Sequence, residues 1–299
     1  MAIVDKLKSR LPGGMYYEPY RKTKALKGTQ FEWIYQARKQ RYWHGEASKD
    51  LQMLMQGLET FHKGNIYDFG IVKIPCGANE LDMPVLFMDL IAPYLADTDV
   101  MCDEGPYEKY DVKVQEDDIV IDAGANIGVF TAFAAKHRGA VVHAFEPVEK
   151  TYCFLCRTIE VNDIAPRVYT VRAALSNHSG EEKMTINDNM GTSRLFRDTG
   201  NVAHDEHYIG EETVRLTTLD DYVRDNELER VDFIKADIEG SERNMLKGAT
   251  ETLKTFAPQL AICTYHLPDD PEVLTDIIKK ANPRYDIKYG PKKLYAKVN

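Results

Sequence analysis

Residues 118–130 read DIVIDAGANIGVF, an apolar run that ends in Asp122, passes through a turn carrying Gly124 and Gly128, and enters a helical pattern. A loop between a buried strand and a helix lies at the C-terminal edge of a parallel sheet, where open α/β folds bind ligands. Outward from it, short apolar runs alternate with amphipathic segments: AVVHAFE (140–146), RVYTVRAAL (167–175), VDFIKAD (231–237) and QLAICTYH (259–266). Nearly continuous hydrophobic strands separated by such segments predict an α/β sheet with helices on both faces. The helix ends agree. Lys136, His137 and Arg138 before Gly139 place cations and a glycine stop at one C-terminus, a second helix is expected after Pro147, and a third opens at Asp269 and Asp270 with Pro271 in its first turn. Thr217 or Thr218 before Asp220 and Asp221 predicts a capped helix start. The closing YDIKYGPKKLYAKVN reads as an antiparallel hairpin at a sheet edge, and residues 176–216, which include His204 and His207, as a polar insertion of the lid or binding-loop kind.

At 299 residues the chain suits one large domain plus an extension. We set the division at residues 1–100, a basic, aromatic helical extension, and 101–299, the α/β domain. The extension holds both tryptophans, Trp33 and Trp43, and a helical pattern from about 48 to 62. Its aromatics are expected to pack on the core or on a second subunit, making a homodimer through this segment an expected assembly; covering the substrate pocket is the alternative. The first fifty residues carry eleven Lys or Arg against five Asp or Glu, leaving 27 against 42 in the remaining 249. An acidic body argues against binding a nucleic-acid backbone and for a small partner. No unbroken apolar run is long enough for a membrane span and none at the N-terminus resembles a secretory signal, so a cytoplasmic protein is expected. The five scattered cysteines suit a reducing compartment, and Cys153 and Cys156 of TYCFLCRTIEV read as buried helix positions rather than a metal or redox pair.

A dinucleotide fold would show G-x-G-x-x-G in the first turn, with a pyrophosphate on the helix N-terminus. Here Asp122 stands at the first of those glycine positions and Ile127 at the last. A carboxylate beside the phosphate site would repel a pyrophosphate and tolerate a cationic ligand, which argues against NAD. Glu146, followed by Pro147 at the end of the second strand, is placed to accept hydrogen bonds from two ribose hydroxyls. A ligand with a ribose and no phosphate is implied, and S-adenosylmethionine meets that description.

The blocks EGPYEKYDVKVQEDDIVIDAGANIG, HAFEPVEK, AALSNHSGEEKM, NMGTSRL (189–195), TTLDDYV, VDFIKADIEGSERNMLKGA and ICTYHLPDD run in order from about 104 to 270 and together resemble the FkbM-type family of S-adenosylmethionine-dependent methyltransferases. The resemblance implies a Rossmann-like seven-stranded methyltransferase sheet, mostly parallel with its last strand antiparallel. It implies that the loop of Asp122, Gly124, Ala125, Asn126 and Gly128 holds the methionine part of the cofactor, that Glu146 holds the ribose hydroxyls, that Ala173 and Ala174 lie by the adenine, and that Tyr107 helps close the site. It also implies O-methylation of a hydroxyl on a natural product or sugar.

Methyl transfer is an in-line displacement at an activated carbon, so placing the acceptor supplies most of the acceleration, and a base removes the acceptor proton. Asp237 and Glu239 follow the fourth strand and His266 the fifth. If those strands are parallel neighbours, all three meet at the cofactor's edge of the sheet. His266 is the expected base because an imidazole titrates near the working pH. Asp237 is the alternative, and also borders the cofactor. Asp237 and Glu239 can equally cap the helix that follows. The same Asp, Glu and His could bind a divalent metal, but with distances unknown no metal is assigned. Nitrogen or carboxylate methylation, and a non-catalytic nucleoside-binding module, are the competing functions.

Overall fold

The computed structural model describes residues 24–29, 31–37, 47–77, 87, 91–92, 106–187, 194–195 and 208–299. The chain divides into two compact units, Met1–Gly70 with Glu80–Pro106, and Ile71–Asn79 with Tyr107–Asn299. In the first unit α1 (Ala47–Leu58) leads into a short antiparallel pair, β1 (His62–Lys63) and β2 (Ile66–Asp68). Trp33 lies flat against α1: a Cβ on Gly57 would come within 2.1 Å of its ring. Phe61, Phe69 and Phe87 form an aromatic cluster there, so the described aromatics of this unit pack on one another. Trp43, Cys102, His204 and His207 lie outside the described residues.

The second unit contains β3 (Lys73–Pro75) and a seven-stranded sheet. Its strands are β4 (Ile119–Ala123), β5 (Val141–Phe145), β6 (Val168–Val171), β11 (Phe233–Ala236), β12 (Gln259–Cys263), β13 (Asp286–Tyr289) and β14 (Lys293–Lys297). The order is β13-β14-β12-β11-β4-β5-β6, with β6, β5, β4, β11 and β12 parallel and β14 antiparallel to both neighbours. The closing hairpin forms one edge of the sheet as expected, with β14 paired to β12 and β13 outermost. Strand order runs one way from β4 through β5 and β6, and the other way through β11 and β12. The crevice outside β4 and β11 is thus a topological switch point.

The apolar strand residues explain this sheet. Ile121, Ile234, Leu260 and Ile262 are fully buried in one core cluster with Leu274 and Ile278 of α6 (Asp270–Ala281). The helix after the glycine turn begins at Val129, with Gly128 as its left-handed cap, runs as α2 (Val129–Ala132) and widens into a π-turn at Phe133–His137. On α3 (Glu149–Val161) the buried face is Thr151, Phe154, Leu155, Thr158 and Ile159. Cys153 and Cys156 are exposed, contrary to expectation, because they fall on the side of the helix away from that stripe.

RVYTVRAAL is not one strand. After β6 the chain leaves the main sheet, and β7 (Ala174–Leu175) joins a second sheet with β8 (Gly180–Asn187), β9 (Arg194–Leu195) and β10 (Tyr208–Thr217) in the order β7-β10-β8-β9. Much of the expected polar loop is therefore a β-hairpin. Thr218 caps α4 (Leu219–Asp225) as expected, accepting the Asp221 N–H at 2.9 Å. Among the described residues no helix is long and apolar enough to cross a membrane.

Candidate active site

The ends of the parallel strands are tied together through backbone bonds. Gly124 and Ala125 donate to the Phe145 carbonyl at 3.1 and 2.8 Å, Glu146 N–H donates to Val171 at 3.1 Å, and Asp237 N–H donates to Ala123 at 3.2 Å. These bonds gather Asp122 to Gly128, Glu146, Pro147, Ala173 and Asp237 along one edge. Gly124, Asn126 and Gly128 all have positive φ. The glycines are required by the protein itself: a Cβ on Gly124 would stand 2.0 Å from the Asp237 carbonyl, and one on Gly128 would stand 2.8 Å from Leu155 Cδ1. Close packing of the turn on its neighbours, not only room for a ligand, fixes both positions.

Asp122 corrects the sequence argument. Its carboxylate is 0% exposed, accepts the Thr131 hydroxyl at 2.6 Å and lies 3.0 Å from Lys235 Nζ. Lys235 also donates to the Gly124 carbonyl at 2.6 Å. Register explains the pairing, since Lys235 of β11 sits opposite Asp122 of β4. The Asp122 charge is compensated inside the protein and does not face the crevice as an unpaired repellent. Lys235 went unassigned from sequence although a lysine inside a strand covered on both faces needs a buried partner.

Glu146 is the carboxylate that does border the crevice. Its Oε2 accepts Asn126 N–H and its Oε1 accepts Val148 N–H, both at 3.0 Å, so it bridges the turn after β4 and the start of α3. Burial pushes its carboxyl up to about 7 despite those two amides and nearby Lys235. Asn126 Oδ1 is buried with no hydrogen-bond partner. A diol would bring two donors to the carboxylate, and a donor group would satisfy the amide oxygen. The residues present therefore fit a ribose.

Beside it lies an acidic group. Tyr107 donates to Asp237 Oδ2 at 2.7 Å, with Lys293 and Lys235 Nζ at 4.6 and 5.3 Å from the Tyr107 ring centroid. Burial would raise the Asp237 carboxyl, but the ammonium groups of Lys235 and Lys293, together with His266 and the Tyr107 hydroxyl, hold it below the usual carboxylate range. His266 Nε2 stands 3.7 Å from Asp237 Oδ1 and 3.6 Å from Glu239 Oε2, while Nδ1 stands 3.1 Å from Glu242 Oε1. The structure thus brings together the expected Asp237, Glu239 and His266. The expectation of a near-neutral imidazole is not met: burial lowers it, but Glu242, Asp237 and Glu239 outweigh burial and push His266 up to about 9.

Glu242 was missed, although it is the last acid of the KADIEGSE stretch. It opens α5 (Glu242–Lys247) and accepts Ile238 N–H at 2.9 Å and Gly240 N–H at 3.0 Å. Those loop amides go to Glu242 and not to Asp237 or Glu239, the expected helix caps.

The family described as Methyltransferase FkbM domain matches residues 122–285. Methyltransferase sdnD of Sordaria araneosa is 32% identical over 48% of this chain, Hexuronic acid methyltransferase AglP of Haloferax volcanii 29% over 56%, and 31-O-demethyl-FK506 methyltransferase FkbM of Streptomyces tacrolimicus 29% over 48%. The chain spans 64% of the length of each of these relatives.

Proposed function

Because the chain belongs to the FkbM methyltransferase family, we propose that it transfers the methyl group of S-adenosylmethionine to a hydroxyl of a small molecule, of the natural-product or sugar kind. The observation that carries this reading is Glu146, a carboxylate held by two loop amides at the switch point and raised to about 7 by burial. In it the cofactor supplies a carbon already activated by a sulfonium. The turn from Asp122 to Gly128 receives the methionine part, Glu146 the ribose diol, and Ala173 and Ala174 border the base.

On the acceptor side, Asp237 is ionised at neutral pH and held in place by Tyr107, so it orients the acceptor hydroxyl and receives its proton. His266 is cationic at neutral pH and keeps Asp237, Glu239 and Glu242 from repelling one another. It becomes a base only above about 9. Three carboxylates around the acceptor position disfavour an anionic acceptor and so argue against carboxylate methylation. The same acidity attracts an amine, which is the second reading.

Calorimetry with S-adenosylhomocysteine and with NAD tests the cofactor. We expect saturable binding of the first only, lost in Glu146→Gln with the fold intact. Binding of NAD alone would overturn the reading. Turnover with a panel of alcohols and amines separates the two acceptor classes, and its complete absence with both would favour a non-catalytic nucleoside-binding module.

A further inference from the structure

We propose that Asp237, Glu242 and His266 form a binding site for one divalent first-row metal cation. The role given to that cation rests on the acceptor reading above, whereas the site itself rests on geometry. The His266 side chain is only 4% exposed, yet neither ring nitrogen makes a hydrogen bond. Both nitrogens lie close to carboxylate oxygens, Nδ1 at 3.1 Å from Glu242 and Nε2 at 3.7 Å from Asp237 and 3.6 Å from Glu239. A buried imidazole that faces three carboxylates without a well-directed hydrogen bond to any of them leaves a ring nitrogen and carboxylate oxygens able to turn onto one shared cation.

The spacing suits a single ion. One ligand atom from each of Asp237, Glu242 and His266 can be chosen so that all lie within 4.8 Å of one another. Ligands about 2.0 to 2.2 Å from a shared ion stand roughly 3 to 4 Å apart, so modest side-chain rotation closes the set. The ligands also come from three fixed points, the end of β11, the first residue of α5 and the segment after β12. Outer contacts hold them: Tyr107 on Asp237 at 2.7 Å, and the amides of Ile238 and Gly240 on Glu242 at 2.9 and 3.0 Å. Carboxylates that ligate a metal are characteristically held by such bonds.

Two carboxylates and one imidazole select a manganese, iron, cobalt or zinc type of ion over calcium or magnesium, which favour oxygen alone. Such a cation takes over from the imidazolium the task of offsetting the carboxylates. Bound there, it supplies a Lewis-acidic seat for the acceptor oxygen on the sheet edge that carries Glu146.

Titration of the full chain with Mn²⁺, followed by electron paramagnetic resonance and calorimetry without cofactor or acceptor, tests the site. We expect one ion per chain, with affinity falling at least tenfold in Asp237→Asn and in His266→Gln and unchanged in the surface control Asp276→Asn. In the wild type, the spin-echo modulation of bound Mn²⁺ should show coupling to a histidine nitrogen, a signal that does not depend on any variant folding. No stoichiometric Mn²⁺ binding, no nitrogen coupling, or equal affinity in wild type and both variants overturns the proposal. S-adenosylhomocysteine binding is measured separately. If it binds and Mn²⁺ does not, the metal site alone fails; if Mn²⁺ binds and it does not, the methyltransferase reading alone fails.

Discussion

At the scale of single residues, the site is built from charges whose partners were only partly visible in sequence. The place of Glu146 was legible, an acid at the end of the second strand. Its energetics were not, since they depend on burial. A carboxyl raised from 4.5 to about 7 stabilises the fold fully below the lower value and loses that contribution as pH rises through the higher one. In the cofactor-free protein Glu146→Gln should therefore gain stability over wild type at about pH 8 and not at about pH 4, by up to about 3 kcal/mol in urea unfolding. An equal effect at both pH values would show that Glu146 is not destabilised by its own charge. His266, raised from 6.5 to about 9, has the same sign: its contribution is complete below the lower value and disappears through the upper. Asp122 was found for the wrong reason. Its importance comes from Lys235, a partner more than a hundred residues away that becomes visible only once β4 and β11 are known to be paired. Lys235→Met leaves Asp122 buried and uncompensated and should cost about 3 to 5 kcal/mol, whereas adding Asp122→Asn should recover a large part of that loss. If the double variant is no more stable than the single one, the pair is not what links these strands energetically.

At the scale of elements, the parallel strands could be read because burial on both faces writes itself as unbroken apolar runs. The second sheet could not. β8 reads GEEKMTIN, with a mostly exposed first half, and its charges mask the alternation that marks a half-buried strand. The end of β6 was hidden for a related reason, as the apolar pattern continues from Val171 into Ala173 and Leu175 while the chain passes from one sheet to another. The turn between β4 and α2 shows how elements are locked to each other. Gly124 has φ +72° and no space toward the Asp237 carbonyl, so any side chain there must push the loop after β11 away. We expect Gly124→Ala to destabilise the protein by about 2 to 4 kcal/mol, from left-handed strain plus overpacking. It should also weaken S-adenosylhomocysteine binding, read by calorimetry on the fraction that remains folded. Wild-type stability together with wild-type binding would mean that the turn tolerates a displacement the geometry forbids.

At the scale of the whole molecule, the family match spans 122–285, but the compact unit that carries the site is larger in both directions. Beyond the match, β14 is paired on both sides, and Leu294, Tyr295 and Ala296 are almost completely buried. Before it, residues 71–79 belong to the same unit although a division near residue 100 was the reading from sequence. That short stretch has too few residues to show a period, so nothing in its own sequence set it apart from the segment before the α/β pattern. Its attachment is specific: Lys73 N–H donates to Asn162 Oδ1 at 2.9 Å, Asn162 Nδ2 donates back to the Lys73 carbonyl at 2.7 Å, and Val72 and Ile74 are buried. Asn162 sits at the end of α3 and is itself buried, so removing the segment leaves its amide short of two partners as well as exposing apolar surface. A chain beginning at residue 71 should therefore melt cooperatively and bind S-adenosylhomocysteine, whereas one beginning at residue 101 should melt at least several degrees lower. Asn162→Ala in the full chain should reproduce part of that loss, about 1 to 3 kcal/mol, without touching the ligand-binding edge. Equal melting temperatures for the two shortened chains would show that residues 71–79 add nothing to the unit, and would return the boundary to the place the sequence suggested.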